Sequence, residues 1–243
     1  MSSGRPESEV AFLRTTLDYA LSCNQTAFES TAPKPIMPSE TTAPIEPVAA
    51  TQITLGILAG GRAIRLGGLD KAWLHRDGVP LVLRWAHHFD GQVAQVLISA
   101  NAQLPRYAQK GLLALPDRVR GDDADTWHGP LAGIDALLAS CKTDWLLMLP
   151  VDAQHLPDDF LAQMWQSRDA DGSAAADASG PQPLFALYRV ESARPIVERA
   201  LHSGDYAVHR LQSRLALARV DFDDVRFGNL NTLDDLAAAG IAA

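Results

Sequence analysis

The chain has 243 residues and a net charge of −8, with 47% hydrophobic and 21% charged residues. These globular proportions exclude wholesale disorder, a collagen-like repeat and a coiled coil, and the acidic balance argues against a broad nucleic-acid surface, which needs basic patches that release counterions. Cys23 and Cys141 form no CxxC pair, and no apolar run approaches the ~18–20 residues that span a bilayer, so the expectation is a cytoplasmic protein without a disulfide framework.

Taken in chain order, residues 1–50 form an appendage. Val10, Phe12, Leu13, Leu17 and Leu21 fall near helical spacing, which predicts a short amphipathic helix over roughly 7–22. Five prolines between Pro33 and Pro47 then suit an extended linker. The compact domain is expected over 51–243. Its predicted elements are a strand at Ile53–Ala59, a helix at Leu81–Phe89, strands at Val93–Ser99 and Leu112–Leu115, and a helix at Pro130–Ser140. A strand at Trp145–Leu149, a helix at Pro157–Ser167, a strand at Leu184–Tyr188 and helices at Ser192–Leu201 and Leu233–Ala239 follow. Pro130 and Pro157 suit first helical positions, and Thr232 is a natural N-cap. Asp169–Pro183, rich in Ala, Ser, Gly and Asp, reads as a mobile surface loop. Strands alternating with helices predict an α/β class, a three-layer sandwich on a mostly parallel sheet.

The most informative stretch follows the first strand and runs from Leu58 to Lys71, LAGGRAIRLGGLDK. It is neither a P-loop, which needs GxxxxGK[ST], nor a dinucleotide fingerprint, which needs GxGxxG. It is a glycine-rich loop at the carboxyl end of a strand, the edge where open α/β sheets bind ligands. Glycines let successive N–H groups turn toward an anion. Arg62, Arg65 and Lys71 place three cations in ten residues of an acidic chain. That local charge inversion suits a polyphosphate. The plainer alternative is a glycine-rich turn with solvated arginines.

This segment resembles the LAGGxxxRxGGxDK signature of the molybdenum cofactor guanylyltransferases, within the nucleotidyltransferases built on a Rossmann-like sheet of the nucleotide-diphospho-sugar transferase type. The resemblance continues in order through Gly78-Val79-Pro80-Leu81, Ser99-Ala100-Asn101, Pro116-Asp117-Arg118, Gly129-Pro130-Leu131-Ala132-Gly133, Leu149-Pro150-Val151-Asp152, Leu156-Pro157 and Asn229-Leu230-Asn231-Thr232, covering about 51–240. It implies transfer of GMP from GTP to the terminal phosphate of molybdenum-bound molybdopterin, with release of pyrophosphate. Alignment and charge neutralisation matter more than a base in such a transfer, because phosphate monoesters are already largely ionised at pH 7.

By that resemblance Leu58, Ala59, Gly60 and Gly61 line the nucleotide site, and Lys71 contacts the nucleotide phosphates. Arg65 neutralises the departing phosphates, while Arg62 is not fixed by the family pattern. Asp152 matches the aspartate that holds Mg²⁺, with helix capping ahead of Pro157 as its alternative. Asn101 matches a nucleotide-contacting asparagine. Asp117 matches an aspartate assigned to guanine, whose Watson–Crick edge offers N–H donors, but the long acidic spacer leaves Asp122 or Asp123 open in its place. Asn229 and Asn231 match a late NxNT motif near the pterin or metal end, or else form the turn and cap before the last helix. Gly129–Gly133 are expected to permit close helix approach to the nucleotide, and the tryptophans are mostly packing. Implied partners are GTP, the molybdopterin acceptor, other cofactor-biosynthesis proteins and recipient molybdoenzymes or their chaperones, with no nucleic acid and no membrane. The alternatives are a cytidylyl enzyme on the same cofactor, another small nucleotidyltransferase, or a non-catalytic nucleotide or cofactor carrier.

Overall fold

The structure is a computed structural model that describes residues 48–60, 70–118, 129–230 and 232–242. The expected N-terminal helix and most of the linker lie outside them. Val48 and Ala49 already pack against the core, ahead of the expected start at residue 51.

The central sheet has five strands in the order β5-β4-β1-β6-β8. These are β1 (Ile53–Leu58), β4 (Gln95–Ser99), β5 (Leu113–Leu115), β6 (Trp145–Pro150) and β8 (Gly180–Arg189). The first four in that order pair in parallel and β8 runs antiparallel to β6, so the mostly parallel expectation holds. β1 is central because it pairs with β4 on one side, Leu58 opposite Ser99, and with β6 on the other, Leu58 opposite Pro150.

Period-two alternation places the two cores. Ile53, Leu55 and Ile57 of β1 and Leu147 and Leu149 of β6 face one layer, while Leu146 and Met148 of β6 face the other. On the first face pack α1 (Leu81–His88), through Leu81, Val82 and Trp85, and α4 (Phe160–Gln166), through Phe160, Leu161, Met164 and Trp165. On the second pack α3 (Pro130–Ser140) and α5 (Val190–His202), giving the three layers. Each fully buried Leu, Ile or Phe in these layers contributes about 1.5–3 kcal/mol.

Short elements complete the described chain: β2 (His75–Arg76), β3 (Val79–Pro80) and β10 (Ile241–Ala242) form a small antiparallel sheet. A helix not expected from sequence, α2 (Leu104–Gln109), stands between β4 and β5, and another, α6 (Val208–Gln212), follows α5. The last helix, α7 (Leu233–Ala238), opens as expected on Thr232, whose side chain accepts from the Asp235 N–H while Asp235 accepts from the Thr232 N–H.

Two expectations are corrected. Asp169–Pro183 is not a mobile loop: it builds β7 (Gly172–Asp177) and the start of β8, and β7 pairs in parallel with β9 (Leu217–Phe222). Gly172 makes this possible, since its φ is 131° and a Cβ there would lie 1.8 Å from the Leu187 carbonyl oxygen. The second correction concerns Pro157, which is not the first residue of its helix. α4 starts at Phe160, whose N–H bonds back to the Pro157 carbonyl at 3.0 Å. Pro130, by contrast, does occupy the first turn of α3. Among the described residues, no helix is long and apolar enough to cross a membrane.

Candidate active site

The parallel strands deliver their carboxyl ends to one edge of the sheet, and those sequence-predicted residues that the structure describes gather there. The end of β1 is secured on both sides: the Ala59 N–H donates to the Ser99 carbonyl at 2.9 Å, and the Val151 N–H donates to the Leu58 carbonyl at 3.0 Å. Leu58, Ala59 and Gly60 therefore lie between the chain leaving β4 and the chain leaving β6. A Cβ on Gly60 would stand 3.7 Å from the Asn101 amide nitrogen, so backbone and asparagine share this corner.

Lys71 and Asp152, 81 residues apart in sequence, form an ion pair at 2.5 Å with side chains 20% and 14% exposed. Lys71 begins a 3₁₀ turn, Lys71–Trp73, capped by the Asp70 carboxylate, which accepts the Ala72 N–H at 3.1 Å. Burial pushes the Asp70 carboxyl up, opposed by that N–H and by the charge of Arg106. Trp73 anchors the turn in the core, its ring 4.8 Å from Tyr107 and covered by the Arg106 guanidinium at 4.2 Å.

Asp152 follows β6 in a loop held from three directions. Trp85 of α1 donates its indole N–H to the Val151 carbonyl at 3.1 Å, and Arg76 of β2 donates to the Gln154 carbonyl at 3.2 Å. The Gln154 and His155 N–H groups donate to the Phe227 carbonyl at 2.8 and 3.1 Å. Asn229 then pairs with Ala153 in an antiparallel bridge, which brings it beside Asp152. Asp152 is not the cap of α4, whose N-cap position is Asp159, and Thr232 with Asp235 caps α7 in place of Asn229.

At the ends of β4 and β5 a second pair forms. Asn101 donates from Nδ2 to Asp117 Oδ2 at 2.8 Å, and its Oδ1 accepts the Asp117 N–H at 2.9 Å. The next residue, Arg118, reaches Asp135 of α3 at 3.3 Å and Glu198 of α5 at 3.8 Å. Burial raises the Asp135 carboxyl above its ordinary range, and the Arg118 guanidinium pulls it back. Gly61, Arg62, Arg65, Asp122, Asp123 and Asn231 lie outside the described residues.

The glycine pattern of α3 has a packing origin. A Cβ on Gly133 would fall 2.4 Å from Ser99 Oγ and 3.1 Å from Leu58 Cδ2, so this glycine lets the helix close on the ends of β1 and β4. Its close approach is to the strands that carry the site.

Arg76 and Trp85 were not among the sequence candidates, because each acts through a main-chain carbonyl and no motif marks such a contact. Among the described residues no three Asp, Glu, His or Cys side chains are grouped so as to hold a metal ion by themselves. Asp152 thus offers a hard carboxylate at the carboxyl edge of the sheet, a donor that suits Mg²⁺ when phosphate oxygens and water supply the other ligands.

A family model for the MobA-like NTP transferase domain matches residues 55–220. The chain is 34% identical over 200 residues to a molybdenum cofactor guanylyltransferase of Methylibium petroleiphilum, covering 78% of this chain and 96% of the relative. It is 36% identical over 191 residues to a protein of the same name from Burkholderia orbicola, covering 75% and 92%. Among solved structures it is similar to molybdopterin-guanine dinucleotide biosynthesis protein A of Archaeoglobus fulgidus, with a TM-score of 0.58, 22% identity and 76% and 96% of the two chains covered. The 2-C-methyl-D-erythritol 4-phosphate cytidylyltransferase of Thermus thermophilus shares the fold at a TM-score of 0.52 and 16% identity, with 76% and 95% covered. The α/β architecture, the site at the carboxyl edge and these relatives agree: the chain belongs to the MobA-like NTP transferases and, within them, to the molybdenum cofactor guanylyltransferase family.

Proposed function

We propose that this chain transfers GMP from GTP to the terminal phosphate of molybdenum-bound molybdopterin. An oxygen of the acceptor phosphate bonds to the α-phosphorus of GTP, the bond from that phosphorus to the bridging oxygen breaks, and pyrophosphate leaves with the electron pair. The observation that carries this reading is the Lys71–Asp152 pair beside the Leu58–Gly60 backbone. A cation and a carboxylate, each mostly shielded from water, stand ready to exchange one another for phosphate and metal.

Phosphate oxygens of GTP replace the Asp152 carboxylate at Lys71 Nζ, and the carboxylate so released would hold Mg²⁺. Bound there, Mg²⁺ supplies neutralisation of charge on the reacting and leaving phosphate oxygens. Leu58, Ala59, Gly60 and Gly61 line the nucleotide, and Arg65 meets the departing pyrophosphate. Asp117 accepts the N–H donors of the guanine edge, with Asn101 fixing the direction of its carboxylate. Asn229 and Asn231 serve the acceptor phosphate, and the product passes to recipient molybdoenzymes or their chaperones. No residue need remove a proton, since the acceptor phosphate is ionised.

Pyrophosphate release from GTP and from CTP, measured with molybdopterin acceptor and Mg²⁺, tests the reading. GTP is expected to be the preferred donor, and turnover to vanish in Asp152→Asn with folding retained. Preference for CTP would make the chain a cytidylyl enzyme, and GTP binding without pyrophosphate release would make it a carrier.

A further inference from the structure

The segment expected to be a surface loop contains a buried carboxylate that reaches toward the active site. Asp177 ends β7 and is 5% exposed. Its Oδ1 accepts from the Ser179 N–H at 2.8 Å, the Ser179 hydroxyl at 2.6 Å and Gln182 Nε2 at 2.9 Å, and its Oδ2 accepts the Phe227 N–H at 2.8 Å. These four donors are neutral. Burial alone would raise the carboxyl, but the bonds from Ser179, Phe227 and Gln182 outweigh it and hold Asp177 below the usual carboxylate range, in the ionised form.

Phe227 has a second attachment. Its carbonyl is the acceptor for the Gln154 and His155 N–H groups, in the loop that begins with Asp152. Its ring is locked among Phe160, Phe185 and Phe222, at centroid distances of 5.6, 4.6 and 5.4 Å. Two residues on, Asn229 bridges to Ala153. Residue 227 is therefore pinned through its N–H by Asp177 and pins the Asp152 loop through its C=O. A hairpin cap alone would be complete with Ser179 and Gln182. The bond to Phe227, 50 residues away, adds nothing to the hairpin turn and joins it to the loop.

We propose that Asp177 is a positioning residue for the phosphate end of the active site: through Phe227 it fixes the loop 152–155 and with it the direction of the Asp152 carboxylate. The inference rests on the reading of Asp152 as the carboxylate that holds Mg²⁺. Its own content is that the metal requirement of the enzyme is set in part by a buried charge that touches neither metal nor nucleotide.

The test uses the full chain with Asp177→Asn. Amide exchange at Gln154 and His155, followed without nucleotide or metal, is expected to quicken by about tenfold or more as the bonds to Phe227 open. The Mg²⁺ concentration for half-maximal GTP-dependent pyrophosphate release is expected to rise about tenfold, the lower end of the effect of removing outer partners of metal ligands. Excess Mg²⁺ then restores most of kcat. A merely structural role lowers the folded fraction and leaves the half-saturating Mg²⁺ at its wild-type value, and that result overturns the proposal. Should Asp177→Asn fail to fold, amide exchange in the unsubstituted chain decides: matching protection at the Phe227, Gln154 and His155 N–H groups supports the proposal, and a Phe227 N–H that exchanges about tenfold or more faster than the other two overturns it. Asp152→Asn separates the two claims. Wild-type turnover in that variant removes the underlying reading. Loss of turnover there, with Asp177→Asn unchanged in exchange and Mg²⁺ dependence, overturns the positioning role alone.

Discussion

Replacing Lys71 with methionine keeps most of the side-chain volume and deletes the ammonium group. The charge removed stands 2.5 Å from Asp152 Oδ2 with only a fifth of its side chain exposed. At an effective dielectric constant of about 20, unit charges at that distance attract by roughly 7 kcal/mol. The cost of withdrawing both from water offsets most of this, so the fold is expected to lose only about 1–3 kcal/mol. Turnover should suffer more. A preorganised donor aimed at charge that develops on a leaving group is worth about 2.7–4 kcal/mol, which lowers the rate roughly 100- to 1,000-fold. Pyrophosphate release across a range of GTP concentrations reads this directly. The loss is expected in kcat, because the contact strengthens as the leaving phosphate gains charge, whereas a contact equally strong in ground and transition states would raise KM alone. On the proposed reading Lys71 and Asp152 act on the same phosphates, so the double variant with Asp152→Asn should fall little below the worse single variant. A loss in kcat/KM below tenfold, or full additivity, would refute the assignment of the pair to one catalytic unit.

Two further outcomes follow from the same geometry. Gly133→Ala places a methyl group 2.4 Å from Ser99 Oγ, so the variant should lose about 1–3 kcal/mol to overpacking; an unchanged melting temperature would contradict the close approach of α3. For Asp135, burial raises the folded carboxyl above its ordinary value of 3.8. The folded state then holds a proton that the unfolded chain releases, and stability falls as pH rises from about 3.8 through the raised value. Denaturant unfolding between pH 4 and 7 should show this slope diminished in Asp135→Asn, and an identical slope in both proteins would count against it.

β1, β6 and the helices on their faces were legible because large apolar residues repeat at two or at 3.6, and because each strand is followed by a turn-rich segment. The site residues came from the family resemblance, and the frame agrees with it: with the strands parallel, Gly60, Asn101, Asp117 and Asp152 all emerge at one edge. β2 and β3 were missed, although Asp77-Gly78 between them is a two-residue hairpin signal, since strands of two residues leave no room for alternation. In β9 the alternation is present, with Val220 and Phe222 buried and Arg219 and Asp221 exposed, but it is short.

β7 is the instructive failure. Its residues, Gly-Ser-Ala-Ala-Ala-Asp, lack the branched and aromatic side chains that mark strands, and their composition is that of a loop. Small residues are required there for a reason outside the segment: at Gly172 the neighbouring strand leaves no space for a Cβ, and Ser173 is fully buried with its hydroxyl on the Met164 carbonyl at 2.8 Å. Tertiary contact overrides local preference. An aspartate closing a run of alanines is unremarkable in a loop, but in a buried strand it is an ionised group that costs several kcal/mol unless its oxygens are satisfied. The chain meets that cost at Asp177 with donors from its own hairpin and one more from Phe227, the residue that holds the Asp152 loop. In β7 local composition and observed burial disagree, and the aspartate responsible is joined to the Asp152 loop, so strand assignment and site architecture were lost from view for the same physical reason.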